Sequence, residues 1–145
     1  MAKKYSLDGA TKTFNGFVKG LVRLGIPTGP MFVLTTRGRK TGQPRSTPIT
    51  PQVEGGRRYA MAPYGEVGWV QNVRADGGRA RLKSRGREET VRLQQVQPAE
   101  AGPLLKKYVE AYPRVQPYFD AKPGDPVERF GAEAHKHPVF EIVEG

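Results

Sequence analysis

The chain has 145 residues, 37% of them hydrophobic, with one Trp, six Tyr and six Phe, enough apolar mass to close the core of one ordinary domain. Its 24 Lys+Arg against 14 Asp+Glu leave a net charge of +10, which points to an anionic partner: nucleic acid, a membrane surface or an acidic cofactor. The absence of cysteine excludes disulfides, Fe–S ligation and thiol catalysis and fits a reducing, cytoplasmic setting, while no secretory apolar stretch follows the charged start and no run approaches the ~20 apolar residues that span a bilayer.

In chain order, Phe14, Phe17, Val18, Leu21 and Val22 repeat at helical spacing. Ser6 or Asp8 is placed to cap that helix and Gly25 with Pro27 to stop it, so an amphipathic helix is expected within residues 1–26. Its basic side holds Lys12, Lys19 and Arg23. A surface helix covering a barrel end is the preferred reading, with peripheral contact to an anionic membrane as the alternative.

A first strand is expected over Met31 to Thr36 and a second over Arg45 to Val53, with Pro48 and Pro51 confining the second to an edge or a bulge. Gly55-Gly56 turns the chain into a third strand, Arg57 to Pro63. A glycine-bearing loop, Tyr64 to Gly68, precedes a short helix through Trp69, Val73 and Arg74, broken at Asp76-Gly77-Gly78. Arg79 to Lys83 and Glu89 to Val96 alternate as a hairpin joined by Ser84-Arg85-Gly86-Arg87. Pro98 to Ala111 reads as a helix with Leu104, Leu105, Tyr108 and Val109 in one stripe. The prolines at 113, 117, 123 and 126 suggest an extended segment, and Pro138 to Val143 a closing strand. About six short antiparallel strands with few helices describe an α+β, mainly β, split β-barrel forming a single domain over residues 1–145.

Between the first two strands lies LTTRGRKTGQPRSTP, residues 34–48, where Arg37, Arg39, Lys40 and Arg45 alternate with glycines and hydroxyl residues. Glycines let backbone N–H groups approach a ligand, hydroxyls add neutral donors, and Arg and Lys supply charge. Hairpin tips are often basic merely because they are wet. Here no acidic residue occurs from Thr35 through Val53, and that favours a phosphate or several carboxylates as the ligand. Neither a Walker A loop nor GxGxxG is present.

Catalytic side chains are scarce. Both histidines, His135 and His137, sit near the C-terminus, and with Glu133 they make only a weak metal-binding pattern, so they are read as structural and no metal is expected. Chemistry carried by a cofactor, hydride transfer above all, asks least of such a chain.

LTTRGRKTGQPRSTP, APYGEVGWVQNVRA, AYPRVQPYF and the terminal HPVFEI together resemble the deazaflavin-dependent nitroreductase family of split-β-barrel oxidoreductases, over nearly the whole chain. The resemblance implies coenzyme F420, whose phospholactyl-oligoglutamate tail carries a phosphate and several carboxylates. It implies cofactor binding through Arg39, Lys40 and Thr41 at the phosphate and through Arg45, Ser46, Thr47, Pro48, Ile49 and Thr50 along the deazaflavin. Met61, Ala62, Pro63 and Tyr64, with Gly68, Trp69, Val70, Gln71 and Asn72, complete the implied pocket. Tyr112 and Tyr118 fall on the implied substrate side, as candidate donors to developing negative charge. Two departures stand there: Val115 replaces a tyrosine of the family's substrate wall, and Glu66 replaces a glycine in a shortened loop. Nitroimidazole reduction is therefore not carried over. Quinones, activated C=C bonds, nitro compounds and lipid-like acceptors remain open, in a monomer or a homodimer.

Competing readings are a lipid- or fatty-acyl-binding barrel, a barrel holding FMN or haem, and a basic barrel for single-stranded nucleic acid. The last is weakened because Arg79 to Lys83 has no aromatic to stack on.

Overall fold

The computed structural model describes residues 32–145; the helix expected within residues 1–26 lies outside them. Seven strands run in the order β1 (Phe32–Arg37), β2 (Pro44–Ile49), β3 (Gln52–Glu54), β4 (Arg57–Met61), β5 (Arg79–Ser84), β6 (Arg87–Gln95) and β7 (Val139–Glu144). Helix α1 (Gly68–Ala75) lies between β4 and β5. Helix α2 (Pro98–Ala111), a 3-10 helix (Pro113–Tyr118) and α3 (Val127–Ala132) separate β6 from β7.

All pairings are antiparallel, in the sheet order β2-β1-β5-β6-β7-β4-β3. The single strand expected over Arg45 to Val53 is in fact two, which raises the expected six to seven. Pro51 is the physical reason, since it offers no N–H to a ladder. The break has a large consequence, because β2 and β3 occupy opposite edges of the sheet although only Thr50 and Pro51 separate them. A trans chain covers at most ~3.6 Å per residue, so the two edges come within about 11 Å there. Six strand spacings of ~4.8 Å would part the edges of a flat sheet by about 29 Å. The sheet must curl almost onto itself, and the result is a split β-barrel.

Alternation then sorts the side chains. Leu34 opposes Leu82, Ala80 opposes Val91, Leu93 opposes Ile142 and Ala60 opposes Phe140, and these residues fill the barrel interior. Val70 and Val73 of α1 enter the same core, with Trp69 packed at its margin. A second core lies outside the barrel, where Tyr59, Met61 and Val139 meet Leu104, Leu105 and Val109 of α2 with Val115, Phe119 and Phe130. The stripe read from α2 is thus the seam of this layer.

The segment expected to be extended between Pro113 and Pro126 instead holds the 3-10 helix and leads into α3. Proline fits the first turn of a helix, where no intrahelical N–H is required, so the same residues serve a tighter local structure. Helix α3 crosses α2 closely. A Cβ on Gly102 would stand 2.8 Å from the Val127 carbonyl oxygen and 3.2 Å from the Gly131 nitrogen. Gly102→Ala should therefore overpack this crossing and lower unfolding free energy by about 1–3 kcal/mol, as read from urea or thermal unfolding.

Candidate functional site

The basic hairpin is a defined turn. Gly38 N–H donates to the Gln43 carbonyl at 2.8 Å and Gly42 N–H to the Gly38 carbonyl at 2.8 Å. Gly42 takes φ +73, a conformation costing an L side chain roughly 1–2 kcal/mol. Thr41 Oγ1 accepts from Gln43 N–H at 3.2 Å. Arg39, Lys40, Thr41 and Arg45 are exposed.

Helix α1 holds this hairpin through Asn72, which is 4% exposed. The Asn72 amide oxygen accepts from Arg39 N–H at 3.2 Å and from the Arg39 guanidinium at 2.9 Å. The amide nitrogen donates to Thr36 Oγ1 at 3.1 Å. Arg39 and Asn72, expected as two separate ligand contacts, thus form one clamp. Arg39 stays on the surface, and the rest of its guanidinium fork faces outward, pre-positioned.

The N-terminus of α1 adds a second feature. The N-cap is Val67, no side chain caps the helix and its first turn has no acidic residue. Gly68 is exposed and a Cβ there would meet nothing within 4 Å. Uncapped N–H groups at a helix start favour anions. Glu66 closes the preceding loop onto the helix: its carbonyl accepts from Gln71 Nε2 at 2.7 Å and its carboxylate pairs with Arg74.

Strand pleat divides the other candidates. Arg45, Thr47 and Ile49 share the face of Thr36, Leu34 and Phe32, whereas Pro44, Ser46 and Pro48 share that of Arg37, Thr35 and Val33. A flat ring against this strand meets the side chains of one set only. Ser46 Oγ lies 2.9 Å from Thr35 Oγ1, Thr50 is half-buried and Ile49 belongs to the barrel core. Val70 (0% exposed), Ala62 (1%) and Met61 (6%) are likewise buried, so their side chains back the wall. Trp69 is half-buried, its ring 5.6 Å from Phe140.

On the far side of the Tyr64–Gly68 loop stands an aromatic wall. Tyr64 and Tyr118 meet edge-on, ring centres 5.0 Å apart at 76°, and Tyr108 and Tyr112 lie 4.8 Å apart. Both candidate tyrosines are therefore in it, and all four rings pack on the outer core. Tyr108, read from sequence only as a core-stripe residue, is the member that was missed; its i,i+4 spacing from Tyr112 was the available signal. Burial pushes the Tyr108 hydroxyl up to about 12 and raises that of Tyr64, so both stay protonated donors near neutrality. An open groove is lined by Thr35, Thr36, Arg37, Gly42 and Pro44 of the hairpin with Arg79 and Arg81 of β5, and it contains none of the residues that the resemblance assigns to the cofactor. Two of its arginines are paired, Arg79 with Asp76 and Arg81 with Glu88. On donor chemistry the hairpin tip and the α1 start are the better anion site.

His137 and Glu133 are buried and joined to one another and to the Pro63 carbonyl, while His135 is exposed.

The curled antiparallel sheet defines a protein of the split-barrel class. The chain belongs to the F420H2-dependent quinone reductase family, whose model matches residues 10–122. It is an F420-dependent oxidoreductase. A comparison with curated proteins returns no match. Among solved structures, an F420-H2 dependent reductase, FDR-A, is 23% identical, with 78% of this chain and 93% of that chain covered at a TM-score of 0.52. A chain solved as a domain-swapped dimer is 20% identical, covering 92% and 99% at 0.56. An FAD-binding protein from Mesorhizobium loti is 16% identical, covering 81% and 83% at 0.50. These likenesses support the split-barrel fold.

Asn72→Ala should strand the Thr36 hydroxyl and the Arg39 N–H and cost about 1–3 kcal/mol, with faster amide exchange at residues 38–43 as its local signature. A second expectation concerns acid. Burial is the main cause that lowers the His137 pKa below 6.5, against the opposing contacts to Pro63 and Glu133. The unfolded chain then binds a proton that the folded chain resists, so stability is full above pH ~6.5 and falls as pH drops from there through the folded value. Subtracting the urea midpoints of His137→Gln from those of the wild type across pH 7.5 to 5 should isolate this slope.

Proposed function

We propose that this chain takes electrons from reduced F420 and passes them to an electron-poor organic acceptor, a quinone first, with activated C=C bonds and nitro compounds as chemically related candidates. The observation that carries the reading is the hairpin of residues 34–48, where Arg39 is clamped on Asn72 of α1 and Lys40 and Arg45 are exposed on the same hairpin. Lys40 and Arg45 have no ion-pair partner among the described residues. A phosphate and a run of carboxylates suit such a donor set. Arg39, Lys40 and Thr41 would hold the phosphate. The strand from Arg45 to Thr50, the Met61–Tyr64 segment and the Gly68–Asn72 turn would frame the ring.

When bound, F420H2 supplies a hydride from C5 of its deazaflavin. The protein's own contribution is placement and polarisation. The barrel core behind Val70 and Ala62 excludes water from one side of the site. Tyr112 and Tyr118, in the wall with Tyr64 and Tyr108, would direct hydroxyl donors at an acceptor oxygen as negative charge grows there. Positioning supplies most of the rate in such chemistry.

Arg39→Ala and Lys40→Ala should each weaken F420 binding by about tenfold, the lower end of the range for charge-assisted bonds, since both groups are exposed. Raising salt should weaken wild-type binding more steeply than that of the double variant, which keeps Arg37 and Arg45. Deazaflavin fluorescence titration measures both. An unchanged affinity in the double variant sinks the assignment of the hairpin.

A further inference from the structure

Glu133 and His137 belong to no binding segment, yet they touch the backbone on both sides of the tyrosine wall. The His137 ring is 4% exposed and Glu133 6%. Nδ1 of His137 lies 2.7 Å from the Pro63 carbonyl oxygen. A carbonyl only accepts, so Nδ1 carries the proton and donates. Nε2, unprotonated in the neutral ring, faces Glu133 Oε1 at 3.2 Å, so these two atoms hydrogen-bond only with one further proton shared between them. That carboxylate also accepts the Asp120 N–H at 2.9 Å on Oε1 and the Ala121 N–H at 2.6 Å on Oε2. The imidazole stacks on Phe119, ring centres 3.7 Å apart at 17°. Outside, the Asp120 carboxylate pairs with Lys136 at 3.0 Å.

The residues so held are telling. Phe119, Asp120 and Ala121 directly follow Tyr118, and Pro63 directly precedes Tyr64. Tyr64 and Tyr118 are the two rings in edge contact. We propose that the buried Glu133–His137 pair is the positioning element of the aromatic wall: it fixes the Pro63 carbonyl on one side and the chain after Tyr118 on the other, and so sets how Tyr64 and Tyr118 face the acceptor. His137 acts through those tyrosines and touches no substrate. The pair bridges two segments that share no ladder, because Pro63 lies two residues past the end of β4 and residues 119–121 belong to the irregular stretch before α3. This assignment rests on the placing of Tyr64 and Tyr118 at the acceptor side given above.

Three substitutions separate the two contacts. In His137→Asn the amide nitrogen takes the place of Nδ1 and keeps the bond to Pro63. In His137→Gln it reaches the place of Nε2, facing Glu133, and leaves the Pro63 carbonyl unpartnered. His137→Phe keeps the shape of the ring and loses the Pro63 bond and the polar contact to Glu133. Quinone reduction is measured with F420H2 and a water-soluble naphthoquinone, at a temperature where thermal melts show every variant folded.

For Gln and Phe, kcat/KM should fall at least tenfold, of the order expected for sub-ångström misplacement, a larger factor than the accompanying loss of F420 affinity read by fluorescence, since Pro63 and Tyr64 also border the ring. Asn should recover most of the loss. If the melting temperature drops for Gln and Phe while kcat/KM holds, the pair is merely structural and the proposal is overturned. The same follows if Asn is as impaired as Phe. Wild-type protein that binds no F420 or reduces no quinone would defeat the functional reading instead. NMR then decides the clasp by itself, since NOEs between the Tyr64 and Tyr118 rings must survive in Asn and vanish in Phe, and their persistence in Phe refutes it. A 15N spectrum of His137 should in every case show Nδ1 protonated in the wild type.

Discussion

A single buried amide ties the molecule's cationic hairpin to its core. Asn72 sits on the α1 turn whose other residues, Val70 and Val73, are sunk in the barrel interior, so its position is set by hydrophobic packing. From there it grips Thr36, the last inward-facing residue of β1, and both the backbone and the side chain of Arg39. An exposed hairpin rich in Arg and Lys would otherwise be a soft, self-repelling loop. Anchoring one of its cations on a neutral, buried group orients the loop without neutralising it, since the amide carries no charge. The hairpin keeps its full positive charge for a ligand.

Two hydrophobic cores divide the labour around that anchor. The barrel interior fixes β1, β5, β6, β7 and α1, and hence the cationic side. The outer core fixes α2, the 3-10 helix and α3, and hence the tyrosines. The Tyr64–Gly68 loop passes between them, closed by Glu66 on Gln71 and Arg74. The Glu66 carboxylate gives the loop a charged tether to α1. Among the described residues no buried side-chain nitrogen or oxygen lacks a partner. The polar connections between the two cores are therefore fully satisfied, as a low-dielectric interior requires.

Local pattern carried much of this a long way. The periods of β5 and β6, the stripe of Leu104, Leu105 and Val109, and the turns at Gly55-Gly56 and Ser84–Arg87 all correspond to elements of the structure. Each is a case where neighbours in sequence are also neighbours in space. Where Pro51 interrupted an alternating run, a local reading kept one strand, because the pattern of side chains continues across the break. Where four prolines followed α2, the local expectation was extended chain, and packing of Val115 and Phe119 against the outer core favoured compact turns instead.

The sequence by itself determined the charge, the donor chemistry of residues 34–48 and, through its resemblance, the deazaflavin family to which the chain belongs. Those properties depend on residue types at short spacing, which the linear order displays. Only the tertiary structure decided that β2 and β3 stand at opposite edges of one curled sheet, that Asn72 clamps Arg39 across 33 positions, and that Glu133 and His137 reach both flanks of the Tyr64–Tyr118 contact. Long-range contacts of this kind come from closing the barrel and laying the helical layer on it, and no local period encodes which distant backbone atom a buried polar group will meet.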